Sequence, residues 1–118
     1  MRKQSNPDYL NGVPELLILR LLDRRSMHGY DIVQSIHAAS GMELDFGEGC
    51  IYPILHRLEE QKILTSKRVL VCGRNRIVYR LTKRGQKRLA ESTATWKHVV
   101  ASVNAVLQGG RHGEPAMA

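Results

Sequence analysis

The stretch Phe46–Leu64, FGEGCIYPILHRLEEQKIL, decides the fold. Ile51, Ile54, Leu55 and Leu58 recur at three- and four-residue spacing and draw one apolar stripe along a helix. That stripe has to face a core, which turns Tyr52, His56, Arg57, Glu59 and Glu60 toward the other faces. Gly47 and Gly49 precede the run, and Pro53 is read as part of the first turn, where its missing N–H removes no helical hydrogen bond. The helix is therefore expected to start near Gly49 or Cys50. Its N-terminus presents free backbone donors and a partial positive charge, both suited to a phosphate. Any amphipathic helix shows the same stripe, so the flanking sequence has to decide what this one does.

Charge is the first flanking signal. The chain has 118 residues and a net charge of +7, the length of one domain. From Met1 to Gln61 there are six Lys/Arg against nine Asp/Glu, and from Lys62 to Ala90 there are ten Lys/Arg and no acid. From Glu91 to Ala118 the signs cancel. The whole excess therefore sits in one quarter of the chain. A uniform block of this kind is often a solvated face or a tail. Here it is interleaved with Val69, Val71, Ile77, Tyr79 and Leu81, so it belongs to folded structure, and a polyanion is its natural partner.

Around the central helix the period changes twice. Residues 1–11 are polar and expected to form a flexible arm. Pro14 stands at a first helical position, and ELLILRLLDRR after it reads as a helix buried on two or more sides, ending near Arg24. Ser26 opens a second helix signal with Ile32, Val33 and Ile36 as its core face and Gly41 as its stop. The acidic gap Met42–Glu48 is expected to point away from any polyanion. Beyond Leu64, Val69 and Val71 alternate with Leu70 and Cys72. Gly73-Arg74-Asn75 signals a turn, and Ile77, Tyr79 and Leu81 alternate again, which predicts a two-stranded β-hairpin. Thr82 is a good N-cap for the last helix. That helix opens with Lys83, Arg84, Lys87 and Arg88, the wrong sign for a helix N-terminus, and phosphate contact is the simplest reason to place them there. From Leu89 a seam follows through Thr93, Trp96, Val100, Val103 and Leu107. Gly109-Gly110 ends it, and residues 109–118 read as a disordered tail. No internal repeat is present.

Several functions find no support. No nucleophile-elbow or phosphate-loop motif occurs, so no enzyme is expected. No apolar run approaches the roughly 18 residues of a membrane span and no signal peptide opens the chain, so a cytoplasmic protein is expected. Two cysteines, Cys50 and Cys72, are too few for a disulfide framework. A metal- or redox-responsive role for either remains an alternative, with Cys50 at a helix N-terminus where its thiol pKa is expected to fall. His56 and Glu60 have metal-compatible i, i+4 spacing, but an exposed polar pair is the commoner outcome. No cofactor or metal is expected.

HGYDI (residues 28–32), GCIYPILHRLEEQKIL (residues 49–64) and GRNRIVYRLTKRG (residues 73–85) together resemble the PadR family of bacterial transcriptional regulators, over about residues 12–108. The resemblance implies a mainly α (α+β) winged helix-turn-helix over residues 12–82, with a two-stranded β wing. It also implies a C-terminal dimerisation helix over residues 83–108. On the family's geometry Cys50, Tyr52, His56 and Arg57 face the DNA groove, with Tyr52 and His56 reaching base edges and Arg57 a phosphate or a guanine. Packing against the wing is the alternative for Tyr52, and an ion pair with Asp45, Glu60 or another acid is the alternative for Arg57. Lys67, Arg68, Arg74, Arg76 and Lys83 would add sequence-independent affinity by counterion release. Many members carry a Trp on the first wing strand. This chain has none between Thr65 and Val71, so no contact of that Trp carries over.

One helix and one wing cover too few base pairs for specificity, which points to a dimer on a pseudo-palindromic operator. In the family the last helix crosses to the other subunit, giving an interface of Leu16, Leu89, Thr93, Trp96, Val100, Val103 and Leu107. The alternative is that the seam packs back on Leu16–Leu22 in a monomer. Members that bind flat aromatic compounds stack them on a Trp of this helix. Trp96 with Val99, Val100 and Val103 would be the pocket, and plain core packing is the alternative. The expected function is a dimeric repressor of transcription, released from double-stranded DNA by a small hydrophobic effector at the dimer interface. A winged-helix protein-interaction module is the competing class.

Overall fold

The computed structural model describes residues 12–109. The expected arm, residues 1–11, and all of the expected tail past Gly109 lie outside the described residues. In chain order the elements are α1 (Val13–Arg24), β1 (Met27–His28), α2 (Gly29–Ala39), α3 (Glu48–Glu60), β2 (Leu64–Val71), β3 (Arg74–Leu81) and α4 (Lys83–Leu107). The fold is a winged helix-turn-helix: mostly helical, with a small antiparallel sheet.

α1 starts at Gly12, whose φ of 91° suits only glycine comfortably, with Pro14 in the first turn as expected. Ile18 and Leu19 are fully buried and Leu16, Leu17 and Leu21 partly so, giving a helix packed on more than one side. The next element departs from expectation. Met27 and His28 run extended and pair with Tyr79 and Val78 of β3, and α2 begins only at Gly29. The sheet therefore has three strands in the order β1-β3-β2, not the expected two. A two-residue strand has no alternation to read; it exists because β3 offers an unpaired edge. α2 ends as expected at Gly41, in a Schellman cap. The Met42 amide donates to the His37 carbonyl (2.8 Å) and the Gly41 amide to that of Ala38 (3.1 Å).

α3 starts at Glu48, one or two residues before the Gly49 or Cys50 that the proline pattern implied. Gly47 caps it in an extended conformation, so Glu48 and Gly49 are already helical and Pro53 lies in the second turn. Pro53 has no N–H for the Gly49 carbonyl, so this helix forgoes one internal bond. It ends in a second Schellman cap, with Ile63 N–H on the Leu58 carbonyl (2.9 Å). Here the left-handed position, φ 66°, is held by Lys62 rather than glycine.

β2 and β3 pair over their full lengths, from Leu64↔Leu81 to Val71↔Arg74. The turn between them is Cys72-Gly73, not the expected Gly73-Arg74-Asn75. Both residues have positive φ, 51° and 78°, the type I′ geometry that matches strand twist. Arg74 and Asn75 belong to β3. Register is set from the other end of the hairpin, where Leu64 and Leu81 must both enter the core.

Thr82 caps α4 as expected. Its hydroxyl accepts from the Gly85 amide (3.0 Å) and lies 2.8 Å and 2.9 Å from the Lys62 and Ile63 carbonyls, fastening α4 to the end of α3. Gly85 is buried, and a Cβ there would overlap the Ile63 carbonyl and approach Leu81 Cδ1 to 2.6 Å. The helix cannot pack this closely with any other residue at that place. Leu89 closes the core against α1. Beyond it α4 runs on, about 37 Å in all, away from the rest of the described chain. Among the described residues no polar or charged side chain is fully buried.

Candidate nucleic-acid interface

The exposed side of α3, the start of α2 and the wing enclose an open cleft of about 370 Å³. His28, Gly29 and Tyr30 form its floor, Tyr52 and His56 one wall, and Arg74 to Ile77 with Tyr79 the other. Two of the expected contact residues, Tyr52 and His56, face it from the helix, and two more, Arg74 and Arg76, from the wing.

Tyr52 is half-buried. Its ring lies on Gly29 so closely that a Cβ there would overlap it, so the bare backbone of α2 is the seat for the aromatic ring. Burial pushes the Tyr52 phenol above its ordinary pKa, with the Glu48 carboxylate one turn earlier adding to the effect. Tyr79 behind it is raised too, by burial first and then by Glu59 and Tyr52. Both phenols stay protonated and able to donate. Glu48 was placed by sequence in the acidic gap expected to turn away from DNA. It is instead the first residue of α3, exposed and beside Tyr52, where it complements the helix dipole.

Cys50 sits in the first turn and packs against the core edge. Burial pushes its thiol pKa up, the reverse of the fall expected from the helix N-terminus. Cys72 is exposed in the wing turn. No three His, Cys, Asp or Glu residues come together in metal-binding fashion among the described residues.

Arg57 points elsewhere. Its guanidinium lies 3.1 Å from Glu15 of α1, whose second carboxylate oxygen takes Arg88 of α4 at 2.9 Å. Arg88 also reaches Gln61 at 3.3 Å. Glu15 thus ties three helices on the side of α3 away from the cleft. Two of the cations read from sequence as candidates for phosphate, Arg57 and Arg88, thus have an acid partner in their own chain. Glu15 could not be picked out by spacing, because it lies 42 and 73 residues from the arginines it holds.

The other lysines and arginines expected to contact DNA have no acid partner among the described residues. Lys67, Arg68, Arg74 and Lys83 are exposed. Arg76 is half-buried and reaches Nε2 of His28 at 3.4 Å, while the same nitrogen lies 3.3 Å from Asp31. His28, Asn75 and Ile77 were not among the expected cleft residues. Their positions depend on β1 and on the true hairpin turn, neither of which sequence pattern revealed.

The dimer-interface residues divide in two. Leu89 is buried in its own chain and Thr93 half-covered, as the monomer alternative would have it. Beyond them Trp96, Val100, Val103 and Leu107 lie open, with Trp96 42% and Leu107 76% exposed. Val99 and Val106 join the same helix face. Trp96 and Val99 line a shallow cleft of about 420 Å³ with Val13, Leu16 and Arg88. Val100 and Val103 continue the stripe outside it. Among the described residues no helix is long and apolar enough to cross a membrane.

Comparison with known proteins agrees with this architecture. Residues 18–91 match the model of the transcriptional regulator PadR-like family. The chain is similar to the crystal structure of a PadR-like transcriptional regulator from Bacillus cereus, with a TM-score of 0.75 and 29% identity over 87% of this chain and 99% of that one. A PadR family regulator from Eggerthella lenta gives 0.74 and 30%, over 85% and 86%. A transcriptional regulator of Mycobacterium tuberculosis is 40% identical over 55 residues, 47% of this chain and 51% of its own. With the matched region running from the core of α1 into α4 and the winged helix complete around it, the chain belongs to the PadR-like family of transcriptional regulators.

Proposed function

We propose that this protein is a homodimeric, sequence-specific repressor that reads a pseudo-palindromic operator on double-stranded DNA in the cytoplasm. One observation carries the reading. Among the described residues Arg74 and Arg76, which line the cleft at α3, and Lys67, Arg68 and Lys83 of the wing and the start of α4 have no acid partner, whereas Arg57 and Arg88 are neutralised by Glu15. Positive charge is left unpaired where a duplex would lie. In this reading α3 enters the major groove with Cys50, Tyr52 and His56 toward the bases. The wing and the start of α4 hold phosphates through Lys67, Arg68, Arg74, Arg76 and Lys83. Arg57 supports the helix from behind.

The dimer rests on the open apolar face from Trp96 to Leu107, which water would otherwise cover along about three helical turns. Two copies joined by α4 would present their α3 helices to half-sites about 10 base pairs, or about 34 Å, apart. The cleft at Trp96 and Val99 opens onto that same face, and a small hydrophobic effector bound there would reset the spacing of the two α3 helices and release the operator. Selection of bound duplexes from random-sequence DNA tests the whole. An inverted repeat with that spacing, bound by two chains, is expected. Recovery of no enriched sequence at any salt concentration would leave the protein-interaction class standing instead.

A further inference from the structure

The wing is more apolar toward its tip than phosphate contact requires. Leu70 is 69% exposed, Val71 41% and Ile77 40%. In the hairpin register Leu70 lies opposite Asn75 and Ile77 opposite Arg68. Cross-strand partners share a face, as do alternate residues along a strand. Leu70, Asn75 and Ile77 are therefore on the face that carries Tyr79 and Leu81, both buried. This is the core side of the sheet, prolonged past the edge of the core until nothing in the described chain covers it. Ile77 lines the cleft across from Tyr52 and His56. A duplex seated on α3 would meet this overhang with its neighbouring minor groove.

Charge complementarity picks the occupant. Arg68 shares the face of the patch, opposite Ile77, Arg74 and Arg76 line the same cleft as Ile77, and no acid occurs between Lys62 and Ala90. A cationic rim around an apolar centre repeats, in reverse, the cross-section of a minor groove, where phosphates border sugar walls and base edges. Apolar side chains entering that groove can part a base step, most easily a flexible pyrimidine–purine one.

We propose that Leu70 and Ile77 form an apolar wedge that enters the minor groove of the operator and opens a base step there, with Asn75 beside them at the base edges. This rests on the DNA-binding reading above and adds to it a source of specificity separate from α3. The wedge selects sequence by deformability at positions flanking the half-sites that α3 reads.

The probe is the duplex recovered by selection with the full-length protein, titrated with Leu70→Asn, Ile77→Thr and Arg74→Ala in parallel. Leu70→Asn is expected to weaken specific binding about tenfold while the slope of affinity against salt is unchanged. Arg74→Ala, a phosphate ligand, should lower that slope by about one. Repeating the selection with Leu70→Asn should erase any preference for pyrimidine–purine steps outside the inner half-sites. Leu70 is mostly exposed, so the variant should keep the melting temperature of the parent. If it does not, Ile77→Thr carries the test. An affinity within twofold of the parent, with the same selected sequence, overturns the wedge and leaves DNA binding intact. Failure of the parent protein to enrich any duplex overturns both.

Discussion

α3 and the outer half of α4 carry apolar stripes of the same period, and they end in opposite situations. Ile51, Leu55 and Leu58 have essentially no exposed surface, because α2 and the sheet lie over them. Trp96, Val99, Val103 and Leu107 are 42–76% exposed, because beyond the cleft that Trp96 and Val99 share with Val13 and Leu16 nothing in the described chain covers α4. Periodicity records where water is to be excluded, and it is silent about which chain excludes it. The division falls near Leu89, the last α4 residue that its own chain buries. Before it, α4 is a core element fastened by Thr82 and Gly85; after it, α4 is a surface in search of an equal.

That contrast has a direct test in two substitutions of similar chemistry and different consequence. Leu55→Ala leaves a cavity in a filled core and should cost about 3 kcal/mol, lowering the melting temperature by about 15 °C. The loss should be the same at every protein concentration. Val103→Lys should leave the winged-helix core folded and weaken self-association at least about 100-fold, since a charge would be buried in each of two copies. Light scattering across a dilution series measures this, and the melting temperature of the parent should itself rise with concentration. A Val103→Lys protein that remains dimeric would move the interface away from this face.

Much of this was legible in the sequence, and what was not shares a cause. α1, α2, α3 and α4 announce themselves because each repeats an apolar residue often enough to define a face. The wing is visible through the alternation of Val69 to Leu81, and its cationic character through simple counting. β1 is not, since Met27 and His28 become a strand only by meeting β3. The hairpin turn was displaced by one residue because Gly73 pointed to a turn while Cys72, at a left-handed φ, gave no sign of sharing it. Pro53 mimicked a helix start because Gly47, an N-cap without a side chain, is a weaker signal than a proline. At the candidate site Tyr52 and His56 were found by following the helix period to its exposed side. Arg57 follows the same period, and only the fold could bring Glu15 against it.

The Glu15 network separates the two faces of α3, and Glu15→Gln measures how firmly. It removes the charge that both Arg57 and Arg88 share. Arg57 is substantially solvated, so the loss of stability should be modest, about 1 kcal/mol. The more telling result is in binding. With two guanidinium groups set free behind the helix, non-specific affinity for DNA should rise and its salt dependence steepen. Discrimination between operator and random duplex should fall. Unchanged salt dependence would mean that these arginines lie too far round α3 to feel the duplex.

The smallest effect separates the body of the domain from its wing by applying one chemical idea to both. Lys62 and Cys72 each hold a left-handed φ, 66° and 51°, that side chains adopt reluctantly. Lys62→Gly should relieve about 1 kcal/mol of strain, partly offset by the added freedom of the unfolded chain. Cys72→Asn supplies the residue preferred before glycine in a type I′ turn and should gain about 0.5 kcal/mol. Lys62 closes α3 one residue before Ile63 and Leu64 enter the core, so its gain should appear as a higher melting temperature of the whole domain. Cys72 turns the chain in the exposed part of the hairpin, where opening need not involve the core. Its gain should appear instead as slower hydrogen exchange at Val71 and Arg74, with little change in global stability. Equal shifts of melting temperature for both would mean that the wing unfolds only together with the helices.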